Sequence, residues 1–253
     1  MPGPLLAQLR RRIAGLEGMG GDAAAGTMSF GAAEIDAVLP WGGVPLGCLH
    51  EIAGAVDDGG EDAAALGFAA LWLGRLAAGQ DRPVLWVTMT DDLYPPGLAA
   101  LGLAIHRLVV VRPARGVQLA WAMEEGLRCP GLAGVLGEVH GMDLTAARRL
   151  KLAARGSGGT ALLLNRGGAV GPATTRWRVG SAPSEALDAG VGAWRWRVAL
   201  SRCRGCAVGD DGAVAAWLVE WSEETHGLAV AARGGGGSAV PQPALRASDL
   251  MAV

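Results

Sequence analysis

Gly54 and Gly59 are separated by four residues. That is the spacing of a turn whose backbone N–H groups cradle phosphate, in which the second Gly is followed by Lys and then by Ser or Thr. Here Gly60 takes the Lys position and Glu61 the hydroxyl position. The Lys would reach the β- and γ-phosphates and the hydroxyl would hold Mg²⁺, so both groups that act on a nucleoside triphosphate are missing. Asp57, Asp58, Glu61 and Asp62 put four carboxylates where the triphosphate would lie. Each like-charge contact at about 4 Å costs on the order of 1–4 kcal/mol. Asp58 and Glu61 also have the spacing of a capping box, so the chain offers its own anions to a helix start that otherwise attracts a ligand anion. The plainer reading of Gly59 and Gly60 is a loop in a Gly-rich chain. We expect Gly54, Asp58, Gly59, Gly60 and Glu61 to form a degenerate phosphate turn, with no cofactor, no metal and no catalytic residue.

The elements around this turn have the order the motif requires. Residues 48–53 read as a buried strand, and residues 61–78, rich in Ala and Leu, as a helix. Apolar strands are expected at 83–88, 107–111, 132–138 and 160–166, with helices at 117–128 and 144–154. Strands alternating with helices imply a mainly parallel sheet flanked by helices. Glu138 ends the 132–138 strand. An Asp at that place supports Mg²⁺ in phosphoryl-transfer sites. With no hydroxyl opposite, we prefer Glu138 as a strand-end residue bonded to a neighbouring turn. Arg148, Arg149, Lys151 and Arg155 give the 144–154 helix a basic face, which reads as solvated.

The later segments change character. Trp194, Trp196, Val198 and Leu200 fall on one face of an alternating stretch, and Arg195 and Arg197 on the other. Strands at 215–221 and 227–230, with a turn near 209–212, suit an antiparallel edge on the C-terminal side. Arg176, Arg178, Arg195 and Arg197 are the candidate contacts to nucleic acid or a partner protein. Trp between basic residues stacks on single-stranded bases, but the alternation turns the Trp side chains inward and leaves only the Arg outside. The Arg face could pair with Glu220 or with phosphate.

The 253 residues carry a net charge of −2 and are 51% hydrophobic. That is enough for one α/β domain, here residues 28–232, between an N-terminal amphipathic helix and linker (1–27) and a C-terminal tail (233–253). No apolar run of 18 residues occurs and the N-terminus lacks a signal-type apolar stretch, so we expect a cytoplasmic protein with no membrane contact. The four Cys include one Cys203-Arg204-Gly205-Cys206 pair. A structural zinc site needs four ligands, so reduced thiols are expected.

A longer run of residues makes the comparison specific. Phe30-Gly31, Glu34-Ile35-Asp36 and Leu39 lead to Gly42-Gly43-Val44-Pro45-Leu46-Gly47 and then to His50-Glu51-Ile52 and Gly54. This order resembles RecA-type recombinases and implies a RecA-like, P-loop NTPase-type fold. Where those enzymes carry a catalytic Glu after the second strand, this chain has Thr90, with Asp91 and Asp92 beside it. Pro83-Val84-Leu85-Trp86, Leu93-Tyr94, Pro96-Gly97-Leu98, Trp121-Ala122-Met123-Glu124-Glu125, Thr175-Arg176-Trp177-Arg178-Val179 and Ala182-Pro183-Ser184 narrow the likeness further. Over roughly residues 28–232 the chain resembles the ImuA family, RecA-related accessory proteins of bacterial damage-induced mutagenesis. The resemblance implies a non-catalytic adaptor in SOS-induced error-prone translesion synthesis. Its implied partners are an ImuB-type Y-family polymerase homologue, RecA and the error-prone replicative-type polymerase, with DNA contact open. A divergent DNA-dependent ATPase and a SulA-like cell-division inhibitor are the alternatives.

Overall fold

The computed structural model describes residues 25–55, 62–167, 171–185, 192–208, 212–222, 224–225 and 227–231. The expected N-terminal helix, positions 56–61 with Asp58, Gly59, Gly60 and Glu61, most of the 209–212 turn and the C-terminal tail lie outside the described residues.

Two short strands, β1 (Thr27–Met28) and β2 (Val44–Pro45), pair antiparallel around the four-residue helix α1 (Ala33–Asp36). The main sheet holds β3 (Leu49–Gly54), β4 (Val84–Val87), β5 (Leu108–Val111), β6 (Gly134–Val139), β7 (Thr160–Asn165), β8 (Thr175–Ala182), β9 (Arg195–Cys203), β10 (Ala215–Ser222) and β11 (Gly227–Val230). Across the sheet the order is β11-β10-β9-β8-β3-β7-β6-β4-β5. The six strands from β5 to β8 run parallel, and β9, β10 and β11 continue from β8 antiparallel. The mainly parallel sheet with antiparallel strands on the C-terminal side is therefore as the alternation predicts.

Helices cover both faces. On one lies α2 (Asp62–Gln80), buried along most of its length from Ala64 to Ala77. A helix that is apolar all round is covered all round. The sheet takes one side of α2, and residues of the Phe30–Leu39 and Leu98–Leu103 stretches join the same core cluster. Phe30, Phe68, Trp72 and Trp177 sit in mutual contact, with Phe30 and Trp72 centroids 5.1 Å apart and Trp72 and Trp177 5.9 Å apart. Trp196 meets Phe68 and Trp217 meets Trp177, so the aromatic cluster ties α2 to the antiparallel strands. On the other face, α4 (Gly116–Arg128) and α5 (Leu144–Ser157) bury Leu119, Met123, Leu127, Ala147, Leu150 and Ala154 against Leu49, Leu85, Val135 and Leu163.

Local chemistry sets the element ends. Asp143 caps α5, its carboxylate accepting from Thr145 N at 2.7 Å and Ala146 N at 3.2 Å. Gly158 closes that helix at φ +76°. The short helix α3 spans Pro95–Ala100. Gly102 turns left-handed at φ +83° and Leu103 N bonds back to Leu98 O. That turn sits against α2, where a Cβ on Gly74 would lie 2.8 Å from Gly102 O. Trp194, expected inside, precedes β9 and is 39% exposed.

Candidate functional site

The parallel register brings the ends of β3, β6, β7 and β8 together. Glu51 lies opposite Arg176 on β8, while Asn165 lies opposite both Ala53 on β3 and Val139 on β6. The Glu51 carboxylate is 2% exposed. It accepts from Arg176 Nε at 2.6 Å on one oxygen and from Asn165 Nδ2 at 3.0 Å on the other. Asn165 Oδ1 in turn accepts from Gly167 N at 3.2 Å. Arg178 Nη1 donates to Gly54 O at 3.0 Å, which pins the end of β3. α2 begins at Asp62, so a strand and a helix fall on either side of positions 56–61, in the expected order.

Glu138 is 3% exposed and both its oxygens are engaged. Trp86 Nε1 donates to Oε1 at 2.6 Å. Arg166 reaches Oε2 with Nε at 3.0 Å and Nη2 at 2.8 Å. The Arg166 guanidinium also lies 3.7 Å from Asp62 at the start of α2. A buried carboxylate needs such company, because ionised groups are costly to desolvate alone. In this arrangement Glu138 is the strand-end residue bonded to its neighbours. To ligate a cation or take a proton from water it would have to release Arg166.

The acids after β4 are engaged too. Thr90 donates to Asp92, and that hydrogen bond holds the Asp92 carboxyl below its ordinary range. Arg112 pairs with Asp91 at 3.1 Å. Of the four basic candidates, Arg176 and Arg178 are turned to β3 as described. Arg195 donates from Nε to Glu220 and from Nη2 to Glu185, and its side chain is only 12% exposed. Arg197 is half-buried on β9, opposite Leu218 and Gly180. The four do not form one outward basic face, because carboxylates claim Arg176 and Arg195 and the Gly54 carbonyl claims Arg178. The Cys203–Cys206 turn carries free thiols, with Cys206 N bonded to Cys203 O at 3.2 Å. Among the described residues no group of three His, Cys, Asp or Glu is placed to hold a metal ion, and no helix is long and apolar enough to cross a membrane.

His50 is a further polar residue within the core, wholly buried beside Trp72. Its Nε2 lies 2.9 Å from Pro45 O and its Nδ1 2.7 Å from Thr175 Oγ1. The carbonyl can only accept, so Nε2 carries the proton and Nδ1 accepts from the Thr175 hydroxyl. Burial pushes its pKa down to about 4, against the opposing effect of the Pro45 hydrogen bond.

Sequence reasoning placed Glu138 but missed Arg166, Trp86, Asn165 and the Glu51–Arg176 pair. Arg166 was visible only as the residue closing a strand. A buried acid at a strand end calls for a cation, and Arg166 was the one at the end of the following strand.

No protein-family model matches the chain. The chain is 36% identical over 214 residues to Protein ImuA of Caulobacter vibrioides, in strain NA1000 / CB15N and in strain ATCC 19089 / CIP 103742 / CB 15 alike. The match covers 79% of this chain and 85% of each relative. A shorter stretch of 73 residues is 36% identical to the cell division inhibitor SulA of Edwardsiella piscicida, over 29% of this chain and 42% of that protein. With a relative this similar over most of both lengths, the chain belongs to the ImuA family.

Proposed function

We propose that the protein is a non-catalytic adaptor with a RecA-like core, acting in SOS-induced error-prone translesion DNA synthesis. It holds an ImuB-type Y-family polymerase homologue, and RecA and the error-prone replicative-type polymerase are further partners. The observation that carries the reading is Glu138. The acid at the place of a Mg²⁺-supporting residue has its two oxygens taken by Trp86 Nε1 and Arg166. The sequence agrees, since Gly60 and Glu61 stand where Lys and a hydroxyl would be needed. A core that no longer holds nucleotide keeps its outer surfaces for partners.

Isothermal titration with Mg-ATP is expected to give no binding heat, and the purified chain is expected to co-elute with the polymerase homologue. ATP turnover lost on Glu138→Gln would sink the reading in favour of a divergent DNA-dependent ATPase. The partial likeness to SulA supports a second reading, a cell-division inhibitor. That reading predicts filamentous cells on overexpression, and normal division at high expression excludes it.

A further inference from the structure

The turn that follows β9 is fixed by its own backbone and by its neighbour. Cys203 ends the strand, in register with Thr175 on β8. Arg204 N donates to Thr174 O at 3.0 Å, and Cys206 N donates to Cys203 O at 3.2 Å. Gly205 takes φ +82°, a conformation that Gly adopts without a Cβ penalty. A bond from the fourth residue back to the first, with positive φ at the third, is the pattern of a type II β-turn. Such a turn brings its first and fourth Cα atoms within about 7 Å, which overlaps the roughly 4.4–6.8 Å that a disulfide spans. Two Cys separated by two residues is also the spacing of dithiol redox sites.

The two sulfurs have unlike surroundings. Cys203 is 4% exposed and belongs to the main core cluster. Cys206 is half-buried at the edge of that cluster, and its Sγ donates to Val38 O, just past α1, at 3.9 Å. The Cys203 and Cys206 side chains also bond to each other, which holds the Cys206 thiol below its ordinary pKa and, together with burial, pushes that of Cys203 up. A solvent-reachable thiol that ionises readily, beside a covered one that does not, can attack first and be resolved by its neighbour. No third metal-binding side chain joins the pair among the described residues. Both sulfurs are free thiols here.

We propose that Cys203 and Cys206 form a thiol–disulfide exchange site whose substrate is a low-molecular-weight disulfide of the glutathione type. The Cys206 thiolate attacks one sulfur of the substrate. The substrate S–S bond breaks, one thiolate leaves and takes up the Cys206 proton, and Cys206 carries a mixed disulfide. The Cys203 sulfur then attacks Cys206 Sγ, the mixed S–S bond breaks, and the second thiolate leaves with the Cys203 proton. Two protein thiols are thereby oxidised to one disulfide, and one substrate disulfide is reduced to two thiols. Excess thiol runs the same steps backwards. The bridged Cys206 has no S–H to donate, so oxidation removes its hydrogen bond to Val38 O and with it one tie between the β9 turn and the α1 segment.

The test equilibrates the native full chain with mixtures of reduced and oxidised glutathione, quenches in acid, and counts thiols by mass after maleimide alkylation. Two of the four thiols are expected to disappear together and to return with excess reduced glutathione. Trypsin cuts after Arg204, so the oxidised chain should yield two peptides still joined through Cys203 and Cys206. Cys203→Ser should instead trap one glutathione on Cys206, whereas Cys206→Ser should leave the covered Cys203 unmodified. Cys129→Ser, at the exposed thiol after α4, should leave the bridge unchanged. Where a serine variant departs from the parent by circular dichroism, the peptide map of the parent decides, since it needs no substitution. The proposal is overturned if Cys129 takes up glutathione while Cys203 and Cys206 stay reduced, or if the parent keeps a stable glutathione on Cys206. It is equally overturned by a bridge from either residue to Cys48, to Cys129 or to a second chain. Protection of both thiols by one equivalent of Zn²⁺, with no bridge formed in glutathione, would assign the pair to metal binding instead.

Discussion

Glu138 belongs to two adjoining regions at the carboxyl edge of β6, and they handle exposure in opposite ways. On one side the ends of β3, β7 and β8 close over their charges, with Glu51 and Glu138 almost fully buried and each bonded to an Arg and a neutral donor. On the other side a groove between α4 and α5 leaves Val117 and Trp121 mostly in water. Burying a charge requires a partner from the same chain, because the desolvation cost is incurred on folding. Leaving an apolar side chain exposed incurs no such cost and keeps its contact area available to another molecule. The closed side is internal scaffold whose charges are spent on one another, and the open side leaves apolar surface in water.

The largest effect should come from opening the closed side. Arg166→Met removes the cation from a carboxylate that is 3% exposed, and is expected to lower stability by about 3–5 kcal/mol. Urea unfolding would measure it. Adding Glu138→Gln should restore part of the loss, since the amide needs no counter-charge. A loss below about 1 kcal/mol would mean that this edge is as tolerant as the groove.

Acid should strain the same interior through His50. Its folded pKa is about 4, below the ordinary 6.5, so between those values the unfolded chain binds the proton that the folded chain refuses. Stability from this group is complete above about pH 6.5 and declines as pH falls toward 4, by about 3 kcal/mol over the interval. His50→Gln keeps a donor for Pro45 O and an acceptor for Thr175 without titrating. Melting temperatures across pH 4–7 should fall less steeply in that variant than in the parent. Parallel curves would show that His50 is not the sensing group.

These two regions were unequally legible in the sequence. Period-two and period-3.6 patterns located the strands and helices of the sheet, and the alternation at 194–200 correctly turned Trp196, Val198 and Leu200 inward. The pairings across the sheet were not legible, because a parallel register joins residues more than a hundred positions apart, such as Glu51 with Arg176. The four Arg were therefore grouped by sequence proximity, although Arg195 is held by Glu185 and Glu220. The groove had a signal that went unused. Val117 and Trp121 repeat at helical spacing alongside Leu119, Met123 and Leu127, and one helix has only one core-facing stripe to fill. The phosphate-like turn itself lies outside the described residues, so its reading rests on residue types.

A smaller effect is expected where the groove meets its own support. Asp143→Ala removes the cap of α5 and leaves Thr145 N and Ala146 N without that acceptor. The expected cost is about 1 kcal/mol, visible as a modest shift in the urea midpoint with an unchanged slope. A cost as large as that of Arg166→Met would place the α5 start within the closed network rather than beside it.

The smallest effect sharpens the contrast most, because it sets one residue type in two surroundings. Trp72 is fully buried within the aromatic cluster, while Trp121 is 61% exposed at the groove wall. Trp72→Ala creates a cavity and is expected to cost about 3–5 kcal/mol. Trp121→Ser removes a side chain whose surface is mostly in water already, and is expected to stay within about 0.5 kcal/mol of the parent. If Trp121 lies outside the packing that holds the fold, its removal should leave the chain almost as stable as before. A loss of about 2 kcal/mol or more would instead assign Trp121 to the fold, and the groove would then be a wall of the core.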